Sequence, residues 1–384
     1  MPHGRYNLVM KTHSVLGATS VAAFLKKYWQ KKPLLIPQAF ADMRAPLSRE
    51  ALFEMAARED VESRLLTNFN DRWSLKHGPF TELPSPKKKH WTLLVQGLNL
   101  HLDQAADLLH QFRFIPDARL DDLMISYATD GGGVGAHFDS YDVFLLQVHG
   151  RRRWRISAQQ DLQLKAGLPL KILEHFMPEQ EYVLEPGDML YLPPHYAHEG
   201  VAVGECMTCS IGFRAPSWQE LGQAFLEFKA DTLELPGRYA DPSLQASHHP
   251  AKLDDALLDR VGRQLNKIRT TRDDVTVFLG EYLSEPKPTV MFDPPETTLT
   301  PRRFRAALRH TALRLHRKTK MLYRDRYLFI NGESFRASAT DQALLRQLAD
   351  ARELGPEALG RASDDLLESL HQWHDNGWLV MGSG

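Results

Sequence analysis

The sequence predicts a mixed β and α protein: a β-sandwich or barrel, then a helical stretch, then a small mixed module. Three features predict it. Residues 91–214 alternate short apolar runs with Gly and Pro turns, residues 217–284 place apolar residues at helical spacing, and residues 285–301 hold five prolines. Many short, evenly spaced strands suit a sandwich or barrel, and a proline-rich stretch between periodic segments reads as a linker.

Residues 1–90 read as helical and mixed. Val21 to Lys32 forms an amphipathic packing helix ended by Pro33, and Leu34-Leu35-Ile36 begins a strand. Strands follow at Trp91–Gln96, Leu123–Ala128, Val143–Val148, Trp154–Ile156, Tyr182–Leu184, Met189–Leu192, Val201–Val203 and Met207–Phe213. Trp218–Leu233, Leu253–Ile268 and Val275–Leu283 read as helices. Past the linker, Tyr327–Ile330 before Asn331-Gly332 signals a strand and tight turn. Helical patterns at Gln342–Leu354 and Asp364–His374 and a strand at Trp378–Met381 complete a winged-helix-like unit. The chain therefore divides at 1–215 with a β core at 91–215, 216–290, and 291–384.

Composition excludes several classes. The chain is 43% hydrophobic and 25% charged with a net charge of −1, so it is globular and no electrostatic trap for nucleic acid as a whole. Two cysteines, Cys206 and Cys209, build no disulfide framework and point to a reducing cytoplasm. The first 26 residues hold no signal-type apolar stretch, and no apolar run is long enough to span a membrane.

The chemistry concentrates in Asp130-Gly-Gly-Gly-Val-Gly-Ala-His137-Phe-Asp139. On a strand, His137 and Asp139 share one face. An imidazole and a carboxylate together make two-thirds of a facial triad for Fe(II). Some residues later, Pro-Gly-Asp188 turns into a strand stopped by Pro193-Pro194, and His198 opens the next strand with Gly200 and Ala202 on its face. His198 supplies the third ligand; His195 competes but lies in the Pro-Pro turn. The glycine run is no phosphate loop, because no Gly-Lys-Ser/Thr follows.

Gly150-Arg-Arg-Arg-Trp-Arg-Ile156 resembles a basic surface run, but its parity says otherwise. Trp154 and Ile156 mark the core face, and Arg152 shares it, while Arg151, Arg153 and Arg155 face away. An inward arginine needs a partner anion, and its planar fork fits a carboxylate. Either an internal Asp or Glu or the distal carboxylate of 2-oxoglutarate would serve, with Ser126 donating a second bond.

Together these residues resemble the JmjC-domain oxygenases of the cupin superfamily, and within them the bacterial ribosomal oxygenases, arginine hydroxylases of a large-subunit ribosomal protein. The likeness runs through Phe24–Ile36, Asp121–Ser126, Gly131–Asp139, Tyr141–Phe144, Gly150–Arg155, Glu185–Gly200 and Ser210–Pro216, and reaches the strand near Trp378. It implies a double-stranded β-helix (jelly-roll) core, a helical homodimerisation region and a C-terminal winged-helix module. It implies Fe(II) on His137, Asp139 and His198, 2-oxoglutarate on Arg152 and Ser126, and O2 as oxidant, with no general base. The implied reaction is hydroxylation at C-3 of an arginine in a ribosomal protein; histidine or lysine on another protein, or a non-catalytic cupin, are the alternatives. Asp130 and Thr208-Cys209 depart from the family pattern, which has proline and Asn-Tyr there, and bear on the substrate entrance.

Residues 302–326 hold ten Arg and Lys against Asp325 alone. The helices that would read nucleic acid are acidic, however: residues 336–384 hold eight acids and four bases. A solvated or subunit-facing surface is the favoured reading, and ribosome-associated RNA is the alternative. Cys206 and Cys209 lack a second pair, which argues against zinc.

Overall fold

The computed structural model describes residues 15–69 and 72–382; residues 1–14, where the 1–215 span begins, lie outside the described residues. The first compact unit runs to Ala215 and also takes in Lys287–Asp293 and His316–Lys318. Its elements are α1 (Val21–Lys27), β1 (Leu34–Ile36), α2 (Arg49–Ala56), β2 (Ser63–Phe69), β3 (Arg72–His77), β4 (Trp91–Val95), α3 (Asp103–His110), β5 (Leu120–Ala128), β6 (Val143–Ser157), β7 (Gln180–Leu184), β8 (Met189–Leu192) and β9 (Ala197–Phe213).

All the strands pair antiparallel in the order β1-β8-β6-β9-β5-β4-β2-β3, with β7 beside β6. The architecture is the expected jelly-roll. Val143–Val148 and Trp154–Ile156 are one strand, not two, and so are Val201–Val203 and Met207–Phe213. The sequence hid this because each long strand is irregular in its middle. The β6–β9 register slips between Gln147 and His149 and again before Arg151, and each slip resets which face a side chain takes. The sheet also begins earlier than residue 91. β1, β2 and β3 belong to it, and the polar, half-buried face of β3 masked its period.

Both faces of β6 are buried: Phe144 and Leu146 join the main core, and Val143 and Leu145 join a second cluster with Trp154 and Ile156. Phe24 of α1 is fully buried, 4.9 Å from the Tyr191 ring and 5.5 Å from Phe144. Burying such an aromatic contributes about 2–3 kcal/mol, so α1 is a packing helix. Its start is capped by Ser20, whose hydroxyl accepts the Ala23 N–H.

The second unit contains α4 (Trp218–Thr232), α5 (Asp255–Leu265), α6 (Arg272–Ser284), α7 (Pro301–Ala307), β10 (Leu313–Leu315), β11 (Met321–Arg324), β12 (Tyr327–Ile330), β13 (Glu333–Arg336), α8 (Gln342–Ala351), β14 (Glu353–Leu354), α9 (Pro356–Leu359), α10 (Asp364–Asp375) and β15 (Leu379–Met381). Asn331 and Gly332 both take positive φ, at 50° and 88°, and close the β12–β13 hairpin that the Asn-Gly pair predicts. The helix read over Gln342–Leu354 stops early: Arg352 turns left-handed at φ 61°, and Glu353–Leu354 pairs with β10. Phe304, Leu348, Leu370 and Trp373 centre this unit's own core. Among the described residues no helix is long and apolar enough to cross a membrane.

Candidate active site

Between β5 and β6 the chain runs as an irregular extended segment, not the strand expected for His137 and Asp139. The cause is steric. Gly133 lies against the Gly200 carbonyl so closely that a Cβ would stand 2.5 Å from it. A regular ladder with side chains does not fit there. Its backbone meets β9 at two places: Gly131 N–H donates to the Ala202 carbonyl at 3.1 Å and Ala202 N–H to the Gly132 carbonyl at 2.9 Å, and in the His137–His198 bridge each backbone N–H donates to the other's carbonyl at 2.9 and 2.8 Å. The glycines thus press the segment onto β9, and that pairing brings His137 beside His198 of the distant strand.

His137, Asp139 and His198 form one cluster whose ligand-capable atoms all lie within 4.8 Å of one another. His198 Nε2 is 3.7 Å from Asp139 Oδ2, and the two imidazole centroids are 4.2 Å apart. The Nδ1 of His137 faces the Gly135 carbonyl at 2.9 Å, and the Nδ1 of His198 faces the Tyr196 carbonyl at 2.9 Å. A carbonyl can only accept, so each contact favours the Nδ1–H tautomer, in which Nε2 carries the lone pair. Burial, then the neighbouring His137, holds the His198 pKa down at about 4, against an ordinary 6.5. The ring is therefore neutral, as a metal ligand must be. The donor set, two imidazoles and one carboxylate, fits Fe(II) with open positions. His195 is exposed in its turn at φ 61° and stays outside the cluster.

Arg152, Ser126 and the three-residue cluster line the same cavity, of about 380 Å³. The parity argument holds along this half of β6: Arg152, Trp154 and Ile156 are buried, while Arg151 is exposed and Arg153 and Arg155 are half-buried. Arg152 Nη1 donates to Ser126 Oγ at 2.9 Å and Thr208 Oγ1 at 3.2 Å, and its Nε has no partner. Among the described residues no Asp or Glu pairs with it. A buried guanidinium with no internal anion is strongly unfavourable by itself, so the site suits an anionic ligand. The Trp154 ring lies 5.5 Å from the Arg152 guanidinium and 6.0 Å from the His198 ring, so it walls the space between them. A Cβ on Gly200 would sit 2.7 Å from that indole, which explains the glycine.

The sequence reading missed several lining residues. Asp122 shares strand parity with Met124 and Ser126, a signal that was available; Asp121 joins it only through a register shift between Leu120 and Leu123. Leu66 and Leu75 come from β2 and β3, which were not read as strands. Of the departures from the family pattern, Asp130 pairs with Lys89 at 2.8 Å away from the cavity lining, and Cys209 lies in the main core. Thr208 touches Arg152 directly. Cys206 packs instead with Ala128 and Ala202, so the two cysteines face different clusters and form no metal pair.

Comparison with known proteins agrees with this geometry. Residues 107–221 match the JmjC domain, and residues 264–380 match a ROXA-like winged helix. The ribosomal protein uL16 3-hydroxylase of Escherichia coli K12 is 36% identical over 282 residues, 72% of this chain and 75% of that protein. A probable ribosomal oxygenase of Haemophilus influenzae is 30% identical over 391 residues, 93% and 95% of the two chains. The crystal structure of the E. coli ribosomal oxygenase YcfD superposes with a TM-score of 0.85 at 31% identity, covering 95% of this chain and 99% of that one. Its complex with cobalt and 2-oxoglutarate superposes at 0.82 with 32% identity, over 96% and 99%. Two imidazoles beside a carboxylate, an unpaired buried arginine in one jelly-roll cavity and this likeness over nearly the whole chain lead to one conclusion: the chain belongs to the JmjC-domain ribosomal oxygenases and is an iron- and 2-oxoglutarate-dependent oxygenase that consumes O2.

Proposed function

We propose that this oxygenase hydroxylates C-3 of an arginine side chain in a large-subunit ribosomal protein, with His137, Asp139 and His198 holding the iron and Arg152 with Ser126 holding the distal carboxylate of 2-oxoglutarate. The observation that carries the site is the buried Arg152 guanidinium, unpaired by any described carboxylate, in one cavity with the His–Asp–His cluster. When bound, the metal supplies the oxygen chemistry that couples conversion of 2-oxoglutarate to succinate and carbon dioxide with C–H hydroxylation. The chain's own groups do the rest. The Gly135 and Tyr196 carbonyls aim the imidazoles. Trp154 walls the cavity and keeps water from the co-substrate. Asp121 and Asp122 give the cavity two carboxylates, which favour a cationic substrate side chain such as the arginine that the family resemblance implies, and the E. coli relative is named a 3-hydroxylase of a ribosomal protein. A ribosomal substrate places the reaction in the cytoplasm.

The same reading includes a homodimer. Neither α4 nor α5 has a buried residue, yet Trp218 and Leu226 are 89% and 69% exposed, and Leu258, Val261 and Leu265 form an exposed stripe on α5. A second copy would cover these faces. RNA contact through 302–326 has weaker support. Arg305, Arg314, Arg317, Lys318 and Arg324 pair with Asp364, Glu353, Asp103, Asp293 and Asp325, so much of that charge is balanced within the chain.

The test is to incubate the iron-loaded protein and 2-oxoglutarate with purified large-subunit proteins and locate the added oxygen by fragmentation mass spectrometry. An oxygen on an arginine β-carbon is the expected result. Oxygen on histidine or lysine only would overturn the arginine assignment.

A further inference from the structure

Lys287 lies in a stretch whose prolines suggested a plain linker, yet Lys287–Asp293 packs with the oxygenase unit. Pro286 and Pro288 flank the lysine and hold the backbone extended. The Lys318 ammonium fixes the same segment by donating to the Met291 carbonyl at 2.6 Å. From this mount Lys287 Nζ reaches Asp121 Oδ1 and Asp122 Oδ2, each at 3.2 Å.

The two aspartates have two sides. One side lines the active-site cavity, and Asp122 also borders a small separate hollow that holds Lys287. Gln96 Nε2 donates to Asp122 Oδ2 at 2.8 Å, and Arg64 Nη2 donates in turn to Gln96 Oε1 at 3.1 Å. Both donors to Asp122, Lys287 and Gln96, land on Oδ2. Oδ1 lies instead toward Gly212, a residue of the cavity wall, 3.7 Å from where a Cβ there would stand. The carboxylate is held by its back and offers its front.

We propose that Lys287 is the positioning counter-ion of the Asp121–Asp122 pair, fixing both carboxylates at the cavity as the recognition surface for a cationic substrate side chain. This rests on the reading of a cationic substrate given above. Asp122 is 4% exposed, and burial and the adjacent Asp121 push its proton affinity up, while Lys287 is the largest influence in the other direction. Lys287 itself stays charged: burial disfavours its ammonium, but the two aspartates more than offset that. The other ionisable groups lining the same cavity are Arg64, joined to Asp122 through Gln96, Tyr141, Asp139, His137, His198, Arg152 and Lys171. Across the hollow stand Asp60, Glu62, His101 and Lys318. None of these makes a direct ion pair with Asp122. Even with Lys287 present, burial leaves the Asp122 carboxyl above the ordinary range, so without Lys287 it would take up a proton more readily and the surface would lose charge.

Lys287→Met, Lys287→Arg and Asp122→Asn in the full-length protein test this in two ways. Infrared difference spectra against pH read the carboxyl directly. Lys287→Met should show a protonated-carboxyl band at neutral pH that is absent from the unmodified protein, restored to absence by Lys287→Arg, and removed in Lys287→Met/Asp122→Asn. The second readout is KM against kcat for an arginine-bearing ribosomal peptide. In Lys287→Met, KM should rise about tenfold per pH unit as pH falls below the new carboxyl value, while the unmodified protein stays flat. Thermal unfolding of each variant separates this from a loss of fold. No new carboxyl band in Lys287→Met would overturn the role of Lys287. Absence of any turnover of arginine peptides by the unmodified protein would instead overturn the substrate reading, and the infrared result would still decide Lys287.

Discussion

The β-core and the helices α4 and α5 satisfy their side chains in opposite ways. In the core even charged groups are enclosed: Arg152, Asp122 and His198 are each under 5% exposed, and each has a neighbour that orients it. In α4 and α5 no residue is buried, and large apolar side chains face outward. The difference teaches where each region's partner lies. Burying an unmatched charge is unfavourable, so an inward Arg152 indicates a small ligand that enters. An exposed apolar stripe is unfavourable in water, and the stripe on α5 is the feature on which the proposed second copy rests.

The sharpest break between the two regions should come at the cluster. His137→Ala or Asp139→Ala is expected to abolish metal binding and 2-oxoglutarate turnover, read by cobalt absorption titration and succinate release, while His195→Ala retains both. Turnover at the unmodified rate in either first variant ends the ligand assignment. Next in size is Arg152→Met. Losing a buried charge-assisted contact costs about 2–5 kcal/mol, or tens- to thousands-fold in 2-oxoglutarate affinity. Titration calorimetry should show this for Arg152 and not for Arg151→Ala or Arg153→Ala; equal losses at all three would defeat the parity argument.

Acid should also distinguish the enclosed core. The His198 pKa is held at about 4 in the folded, metal-free protein and is near 6.5 when unfolded. The unfolded chain then binds the extra proton, so the stability tied to the neutral ring is complete above about pH 6.5 and is lost as pH falls toward 4. For that one group the loss is roughly 3 kcal/mol at most. Chemical denaturation of the metal-free protein across that window should follow this slope, and His198→Gln should flatten it; an unchanged slope would remove His198 as its source. The smallest effect is a factor of two in mass. Light scattering should give twice the 43.8 kDa chain mass, and Leu258→Glu with Leu265→Glu should halve it without touching the cavity. A 43.8 kDa species from the unmodified protein would mean that the stripe has some other partner.

What could be read without coordinates follows from periodicity. Met189–Leu192 and Tyr327–Ile330 were placed to the residue, because a short apolar run between turn residues has one reading. The inward face of Arg152 came from its spacing to Trp154 and Ile156. Where a strand slips register, as in β6 between Gln147 and Arg151, one strand reads as two, because the period that identifies it resets.

The sequence by itself determined the residue types of the site: two histidines, an aspartate, an arginine and a serine whose chemistry fits one reaction, and a strand parity that turns the arginine inward. Tertiary structure alone decided how they meet. His137 reaches His198 through backbone pairing onto β9, where Gly133 lies against Gly200, and Lys287 reaches Asp121 and Asp122 from a segment 165 residues beyond the second of them. Local pattern fixes which way a side chain points from its own backbone. It carries no information about which distant segment arrives opposite, because that contact depends on the packing of the whole sheet.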